Sequence, residues 1–285
     1  GHSINSVGQV AGTASSGGNV TEHAFLYSKG VMTDLGTLVG GTSSHGNDIN
    51  SAGQITGESG TLDGQHAFLY SNGAMTGLGA LGGGHSIGYG INDASQVTGL
   101  AYTSGNAAYH AFISSNGNMI DLGTLAGHNY SEGHAINASG QVAGTSSVTS
   151  GGGSRAFLYS DSTMIDLGTM GGLASFGYGV NAAGQVVGSI HVGNDYRDRA
   201  IHNAFLYSDG NMVDLNSLID PLSGWTLSVA SNINDAGQIV GWGISPNGGV
   251  YHAFLLTPVP EPETYAMMLT GLGLVGGAMA RRRRG

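Results

Sequence analysis

The sequence repeats itself about every 45 residues, and this period constrains the fold more than any other feature. The first landmark of each repeat is Asn-x-x-Gly-Gln-Val/Ile-x-Gly, in which Ser replaces the first Gly in one copy. An Asn side chain can bond the backbone two residues on, and the later Gly suits a left-handed conformation. Each repeat therefore contains a predicted tight turn followed by a short strand. The turn asparagines are Asn5, Asn50, Asn92, Asn137, Asn181 and Asn234.

A second landmark, usually His-Ala-Phe-Leu-Tyr-Ser, follows the first in every repeat and is apolar on both faces. Such a segment is typical of a strand buried between stacked sheets. Pairs such as Lys29-Gly30 and Asn72-Gly73 then predict hairpin turns into a third landmark, Met-x-Asp-Leu-Gly. The second landmark carries six of the seven phenylalanines: Phe25, Phe68, Phe112, Phe157, Phe205 and Phe254.

The repeat predicts an all-β fold, a β-propeller of about six four-stranded blades over residues 1–257. The variable stretch before each Asn turn is interpreted as the fourth strand. A parallel β-solenoid would need a shorter period, and no helical periodicity survives the glycines. The third landmark is absent from the last repeat, so the last blade is predicted to be incomplete. Because Gly1 begins the chain without a signal peptide, we expect that upstream residues supplied both a leader and the closing strand.

Charge and cysteine content exclude several kinds of partner and site. Residues 1–258 hold sixteen acidic residues and only four basic ones. An acidic body repels phosphate backbones, so no nucleic-acid partner is expected. The chain has no cysteine, which excludes disulfides, thiolate chemistry and cysteine-based zinc sites.

The recurring His-Ala-Phe, Asn-x-x-Gly-Gln and Asp-Leu-Gly-Thr-Leu strings resemble a bacterial extracellular repeat family named for its His-Ala-Phe triplet. The resemblance spans residues 1–257. It implies an exported, surface-associated protein, and it carries no assigned catalytic residues.

The C-terminal segment has three parts in a fixed order. A Pro/Glu linker (258–264) precedes a predicted transmembrane helix with a basic end (265–285), whose uncharged run of about sixteen residues is slightly short for a comfortable span. The basic end keeps the C-terminus cytoplasmic and the repeat body outside. It consists of Arg281, Arg282, Arg283 and Arg284.

Together these parts resemble the PEP-CTERM sorting signal of Gram-negative bacteria that secrete exopolysaccharide. The resemblance implies an exosortase as partner, transient contact with the inner membrane, and cleavage near Pro260, Glu261 and Pro262. The mature protein would then lie on the cell surface or outside the cell. A permanent C-terminal anchor is the alternative.

The repeated histidines His23, His66, His110 and His252 are replaced by Arg155 and Asn203 in two repeats. Because those replacements are not usual metal ligands, we interpret the set as structural hydrogen-bond partners, and the repeated aspartates likewise. His128, Glu132 and His134 form a weak zinc candidate whose spacing matches no strong motif. No catalytic residue, metal site or cofactor is predicted.

The loops between the first and second landmarks vary most and are expected on one face of the fold. The longest is a candidate ligand-binding loop, because polar hydrogen-bonding groups beside an aromatic ring suit a carbohydrate. It contains His191, Asp195, Tyr196, Arg197 and Arg199. The alternative is a solvated loop without a ligand.

These patterns favour a non-enzymatic envelope or matrix protein that binds exopolysaccharide or surface proteins through its loops. Two alternatives are a secreted propeller enzyme acting on glycans, which needs converging acids in the channel, and a purely structural spacer.

Overall fold

The structure, a computed structural model, describes residues 1–15, 21–148, 153–194, 200–246 and 250–259. Within them the chain forms 23 strands and three short 3-10 helices, without an α-helix. The strands make six consecutive antiparallel units, called units 1 to 6. This confirms the predicted all-β class and its four-stranded sheets. The predicted helix over 265–285 lies outside the described residues. Among the helices that are described, none is long and apolar enough to cross a membrane.

The bounds of the elements follow the repeat. Units 1 and 2 comprise β1 (Ser3–Ile4), β2 (Val10–Ser15), β3 (Glu22–Ser28), β4 (Val31–Asp34), β5 (Ser44–Ile49), β6 (Ile55–Gly60), β7 (Gln65–Ser71) and β8 (Ala74–Gly79). Units 3 and 4 comprise β9 (Gly82–Ile91), β10 (Val97–Thr103), β11 (Tyr109–Ser115), β12 (Asn118–Asp121), β13 (Tyr130–Ile136), β14 (Val142–Ser147), β15 (Arg155–Ser160) and β16 (Thr163–Asp166). Units 5 and 6 comprise β17 (Ala174–Val180), β18 (Val186–Asn194), β19 (Ala200–Ser208), β20 (Asn211–Asp214), β21 (Thr226–Ile233), β22 (Ile239–Ile244) and β23 (Tyr251–Leu256). The 3-10 helices are Ser104–Asn106, Leu215–Leu218 and Pro221–Ser223.

Strand order within each unit equals sequence order. Units 1 to 5 each contain four strands, whereas the described residues of unit 6 form three, in the order β21-β22-β23. A short parallel contact between Gln65 and His85 joins the sheets of units 2 and 3. The variable stretch before each Asn turn is a strand, as predicted, but it opens the next sheet instead of closing the preceding one. The reason is local, because the Asn turn makes this stretch the hairpin partner of the Gln-Val strand.

The Asn turns have the predicted chemistry. In unit 2 the Asn50 side-chain oxygen accepts from the backbone N–H of Ala52 at 3.1 Å and of Gln54 at 2.9 Å. The turn closes through Gly53, whose φ is 78°. Ser95, which stands at this position in unit 3, adopts the same left-handed conformation at φ 61°. A short polar residue therefore tolerates the strain that Gly avoids.

The core lies between neighbouring units. Phe68, Phe112, Phe157 and Phe205 are fully buried. The packing of units 4 and 5 shows the pattern, since Ala143 and Leu158 of unit 4 belong to the same buried cluster as Val186 and Phe205 of unit 5. The second landmark thus buries one face against the preceding unit and the other against the next, which explains why it is apolar on both faces.

A ladder of asparagine amides joins the units at their turn ends. The side-chain Nδ2 of each turn Asn donates to the backbone carbonyl of the turn Asn in the next unit. The five donor–acceptor distances are 2.9 Å (Asn5 to Asn50), 3.0 Å (Asn50 to Asn92), 2.9 Å (Asn92 to Asn137), 2.8 Å (Asn137 to Asn181) and 3.2 Å (Asn181 to Asn234). One residue type therefore both shapes the turn and fixes the position of the next sheet.

A buried serine makes a second link between units. Ser131, on the first strand of unit 4, accepts from the backbone N–H of Ala111 at 2.8 Å and donates to the carbonyl of Gly123 at 2.5 Å. Both partners belong to unit 3, where they stand in the second and third landmarks. Ser44, Ser86 and Ser175 repeat the link to the N–H groups of Ala24, Ala67 and Ala156. These contacts satisfy backbone groups that the packing of sheets would otherwise leave buried and unpaired.

Candidate functional site

The first strands of all six units border a common cavity of about 260 Å³. Five units contribute the residue that lies three positions before the turn Asn, and unit 6 contributes Asn232, two positions before its own. These residues all line the cavity. The five residues are His2, Asn47, Tyr89, His134 and Tyr178.

Three of these side chains are held by the neighbouring unit. His2 Nδ1 lies 2.9 Å from the carbonyl oxygen of Gly46, and His134 Nδ1 lies 2.7 Å from that of Gly177. Asn47 Nδ2 donates to the carbonyl of Gly88 at 2.9 Å. The cavity wall is therefore preorganised, since each bond fixes a side chain against the backbone of the next first strand.

Aromatic rings continue outward from this wall. The His134 ring lies edge-on to Tyr89, with centroids 5.8 Å apart, and stacks on Tyr178 at 5.6 Å. Phe176 stacks on Tyr178 at 6.5 Å and contacts His202 at 6.1 Å. These separations are typical of attractive aromatic pairs. The result is a track of rings across units 3, 4 and 5, which we call the aromatic track.

A second aromatic cluster lies where the strands meet the variable loops. Tyr102, near the end of β10, lies 5.6 Å from Tyr109 at the start of β11, and Tyr109 lies 4.7 Å from Tyr130 at the start of β13. His85 contacts Tyr102 edge-on at 5.7 Å. All four side chains are partly exposed. We call this cluster the tyrosine patch.

Burial, reinforced by the Glu132 carboxylate, raises the pKa values of tyrosines in both the track and the patch. Burial raises the pKa of Tyr89, and the carboxylates of Glu132 and Glu58 raise it further. Burial, followed by the same Glu132 carboxylate, raises the pKa of Tyr109. Burial also raises the pKa of Tyr178. The phenols therefore stay protonated at neutral pH and can donate hydrogen bonds to a ligand.

Two further acidic residues near the cavity accept hydrogen bonds from neighbouring groups of the protein. Burial raises the pKa of Asp48, although its carboxylate accepts from the hydroxyl of Ser3 at 2.6 Å and from the N–H groups of Ile49 and Ile91. Burial likewise raises the pKa of Glu58, whose carboxylate accepts from Asn47 at 2.8 Å. Asp48 therefore links unit 2 to units 1 and 3, whereas Glu58 bonds Asn47 within unit 2.

The predicted ligand loop is described only in part. His191 Nε2 lies 3.0 Å from Asn194 Oδ1, and its ring stacks on His202 at 5.3 Å. His191 thus joins the end of the aromatic track. Burial and the neighbouring His191 lower the pKa of His202. Asp195, Tyr196, Arg197 and Arg199 lie outside the described residues, as do Pro260, Glu261, Pro262 and the four terminal arginines.

The repeated histidines and aspartates pair within a sheet. His23 Nδ1 lies 2.9 Å from an Asp34 carboxylate oxygen, and His110 lies 2.9 Å from Asp121. The replacements pair in the same way, Arg155 with Asp166 at 3.3 Å and Asn203 with Asp214 at 2.7 Å. These bonds support the structural interpretation of the two landmarks in four units.

The weak zinc candidate does not assemble. His134 uses Nδ1 on the carbonyl of Gly177, and its Nε2 lies 3.6 Å from Glu132. His128 Nδ1 is buried and has no hydrogen-bond partner in the described part of the chain. Across the described ranges, no group of three or more acidic or histidine side chains could hold a metal ion.

Sequence reasoning did not select Tyr89, Tyr178 or the tyrosine patch. A signal was present, because an alignment on the turn Asn places a polar or aromatic side chain three residues earlier in units 1 to 5. The tyrosine patch had no comparable signal, since its members come from loop-end positions that differ between repeats.

Comparisons with known proteins bear mainly on the C-terminal segment. No curated protein matches the chain. The solved structure of a gluconolactonase from Xanthomonas campestris covers 84% of this chain and 80% of its own length, at 12% identity and a TM-score of 0.41. Residues 258–284 match the family model of the PEP-CTERM protein-sorting motif. The chain therefore carries a motif that implies an exported protein with a C-terminal membrane-anchoring signal, sorted by an exosortase.

Proposed function

We propose that this chain is an exported, non-enzymatic protein of the cell surface or extracellular matrix that binds polysaccharide through the tyrosine patch and the aromatic track. Its body, residues 1–257, is a six-bladed propeller of the His-Ala-Phe repeat type with an incomplete last blade. Residues 265–285 anchor it in the inner membrane until the exosortase cuts near Pro260, Glu261 and Pro262.

The tyrosine patch is the observation that supports binding. Tyrosine combines an apolar ring, which can cover the C–H face of a sugar, with a hydroxyl that can bond the sugar hydroxyls. Tyr102, Tyr109 and Tyr130 contact one another in a row and remain partly exposed. A row of rings suits several sugar units of a polymer better than one small molecule.

The charge of the body narrows the class of polysaccharide. With sixteen acidic and four basic residues in 1–258, the body repels polyanions at low salt. Glu132 adds a negative charge beside the patch, where it acts on Tyr109. A neutral polymer, or one with free amino groups, is therefore the expected ligand.

Affinity electrophoresis through gels that contain exopolysaccharide of the native host tests this function. Wild-type protein should be retarded in proportion to the polymer concentration. The Tyr109→Ala and Tyr130→Ala variants should each weaken binding about threefold to tenfold, on the scale of one aromatic contact. Tyr27→Ala removes a partly exposed Tyr of β3 outside the patch and serves as the matched control. Equal mobility of all four proteins with and without polymer would remove the binding proposal.

A secreted enzyme that acts on glycans is the second candidate function, and the raised pKa of Glu58 is the observation that favours it. Burial raises the pKa of this carboxyl, which accepts a hydrogen bond from the cavity-lining Asn47. A raised pKa is typical of a carboxyl that acts as a general acid. Release of reducing ends from the host exopolysaccharide, abolished in Glu58→Gln, would establish this activity in place of simple binding.

A further inference from the structure

The outer edge of β23 is unpaired among the described residues. In units 1 to 5 the strand of the second landmark pairs on that edge with a fourth strand. The register is the same in units 1, 3, 4 and 5, where each Phe of the second landmark lies opposite the Asp of the third: Phe25 and Asp34, Phe112 and Asp121, Phe157 and Asp166, Phe205 and Asp214. The edge of β23 thus has the geometry of a site that is filled in every preceding unit.

A two-residue hairpin like those of units 1 to 5 is disfavoured directly after β23. The hairpins of units 1 to 5 place two consecutive residues in the left-handed region, as at Lys29 (φ 50°) and Gly30 (φ 85°). Pro258 and Val259 occupy these two positions in unit 6. A proline ring holds φ near −65°, and a β-branched residue strongly resists positive φ. The two-residue turn that brings in the fourth strand of units 1 to 5 is therefore strongly disfavoured at Pro258 and Val259.

The side chains along the edge show what a fourth strand would meet. His23 and His110 each bond the Asp of their fourth strand at 2.9 Å. His252 occupies the same position in unit 6, and it takes part in none of the ion pairs formed by described residues. Phe254 is only partly buried and Leu255 is 61% exposed, whereas Phe112 and Phe157 are fully buried. The edge therefore presents an imidazole ring next to uncovered apolar side chains.

We propose that the edge of β23, free among the described residues, accepts an antiparallel strand with the pattern Met-x-Asp-Leu-Gly, and that a separate peptide of this pattern binds there in place of the upstream closing strand expected from the sequence. The incoming strand bonds the open backbone groups of the edge, and its Asp bonds the His252 ring. Its Leu covers the apolar side chains, as the buried Leu122 and Leu167 do in units 3 and 4. This is recognition by strand addition, in which the backbone provides affinity and alternate side chains provide specificity.

A labelled peptide with the sequence of residues 117–126 (GNMIDLGTLA) tests the proposal by fluorescence anisotropy on the full chain in a mild detergent. We expect saturable binding and new hydrogen-exchange protection confined to β23. Replacing the peptide Asp with Ala should weaken binding about twofold to fivefold, as for a partly exposed ion pair. His252→Ala should cause a similar loss. His66→Ala is the matched control, because His66 lies on a strand whose partner β8 is in place.

Several results would overturn the proposal. A scrambled peptide that binds as well as the designed one would show that the apolar surface is unspecific. Absence of binding to protein with an unchanged circular dichroism spectrum would show that the edge does not accept strands of this pattern. A homodimer that excess peptide fails to dissociate would show that a second copy covers the edge in another way.

Discussion

The side-chain amide of Asn92 donates to the backbone carbonyl of Asn137 at 2.9 Å, although the two residues are 45 positions apart. The same Asn92 shapes its own turn, because its side-chain oxygen accepts from the N–H groups of Ala94 and Gln96. One buried side chain therefore couples the local turn to the placement of the next sheet.

Replacing Asn92 with Ala should lower the free energy of unfolding by about 2–3 kcal/mol, because it leaves a buried backbone acceptor and two part-buried backbone donors without partners. Urea titration followed by circular dichroism measures the loss. Asn234→Ala is the matched control. Among the described residues, the Asn234 side chain bonds only within its own turn and is exposed. Its loss should cost about 1 kcal/mol or less. Similar losses at both positions would contradict the inter-unit role.

Local features of this fold were predictable from the sequence. The Asn turns, the left-handed position at Gly53 and the hairpin at Lys29 and Gly30 depend only on nearby residues, and all three are present as predicted. The bonds between units were not predictable. They join positions such as Ser131 and Ala111, whose proximity depends on how sheets pack and not on local preference.

Replacing Gly144 with Ala should destabilise the protein by about 1–3 kcal/mol through overpacking. An added methyl group would lie 2.6 Å from the buried Phe157 ring and would also meet the carbonyl of Glu132. Gly60→Ala is the matched control, since its added methyl group has no neighbour closer than 3.6 Å. Thermal unfolding compares the two variants. A midpoint for the Gly144 variant as high as that of the Gly60 variant would show that both the Glu132 carbonyl and the Phe157 ring can move aside.

Replacing Glu58 with Gln should stabilise the protein increasingly as the pH rises. Burial raises the pKa of Glu58 above its ordinary value, opposed by the Asn47 hydrogen bond and by His45 and His2. A carboxyl with a raised folded-state pKa stabilises the fold most at low pH, and this contribution is lost as the pH rises through that pKa. The substituted amide stays neutral at every pH, and its oxygen still accepts from Asn47. The variant therefore does not lose this stability as the pH rises.

Urea midpoints of wild type and Glu58→Gln between about pH 4 and pH 8 measure this difference. The two curves should converge at the acid end and separate towards neutral pH. Glu22→Gln removes a half-exposed carboxylate that lies 3.9 Å from His45, and it controls for the loss of one negative charge. A constant offset between the wild-type and Glu58→Gln curves would show that packing, and not ionisation, causes the change.

The candidate site was less predictable than the fold. Sequence reasoning placed ligand binding on the variable loops, and of its five residues the structure describes His191, at the end of the aromatic track. The tyrosine patch combines Tyr102, Tyr109 and Tyr130 from three strands of two units. A contact between strand ends of neighbouring sheets has no fixed spacing in the sequence, so no motif could reveal it.

Replacing Arg281, Arg282, Arg283 and Arg284 with Gln should prevent removal of the C-terminal tail. The sorting motif spans 258–284, and in the proposed sorting the arginines keep the end of the apolar run on the cytoplasmic side of the membrane. Without them the run lacks its fixed orientation, and the Pro260-Glu261-Pro262 segment is no longer presented to the exosortase. Mass spectrometry of the protein recovered from the native host should find wild type ending near this segment and the variant intact. Arg197 and Arg199, replaced with Gln in the body, control for lost positive charge and should leave processing unchanged. An intact tail on the wild-type protein would instead establish the permanent anchor.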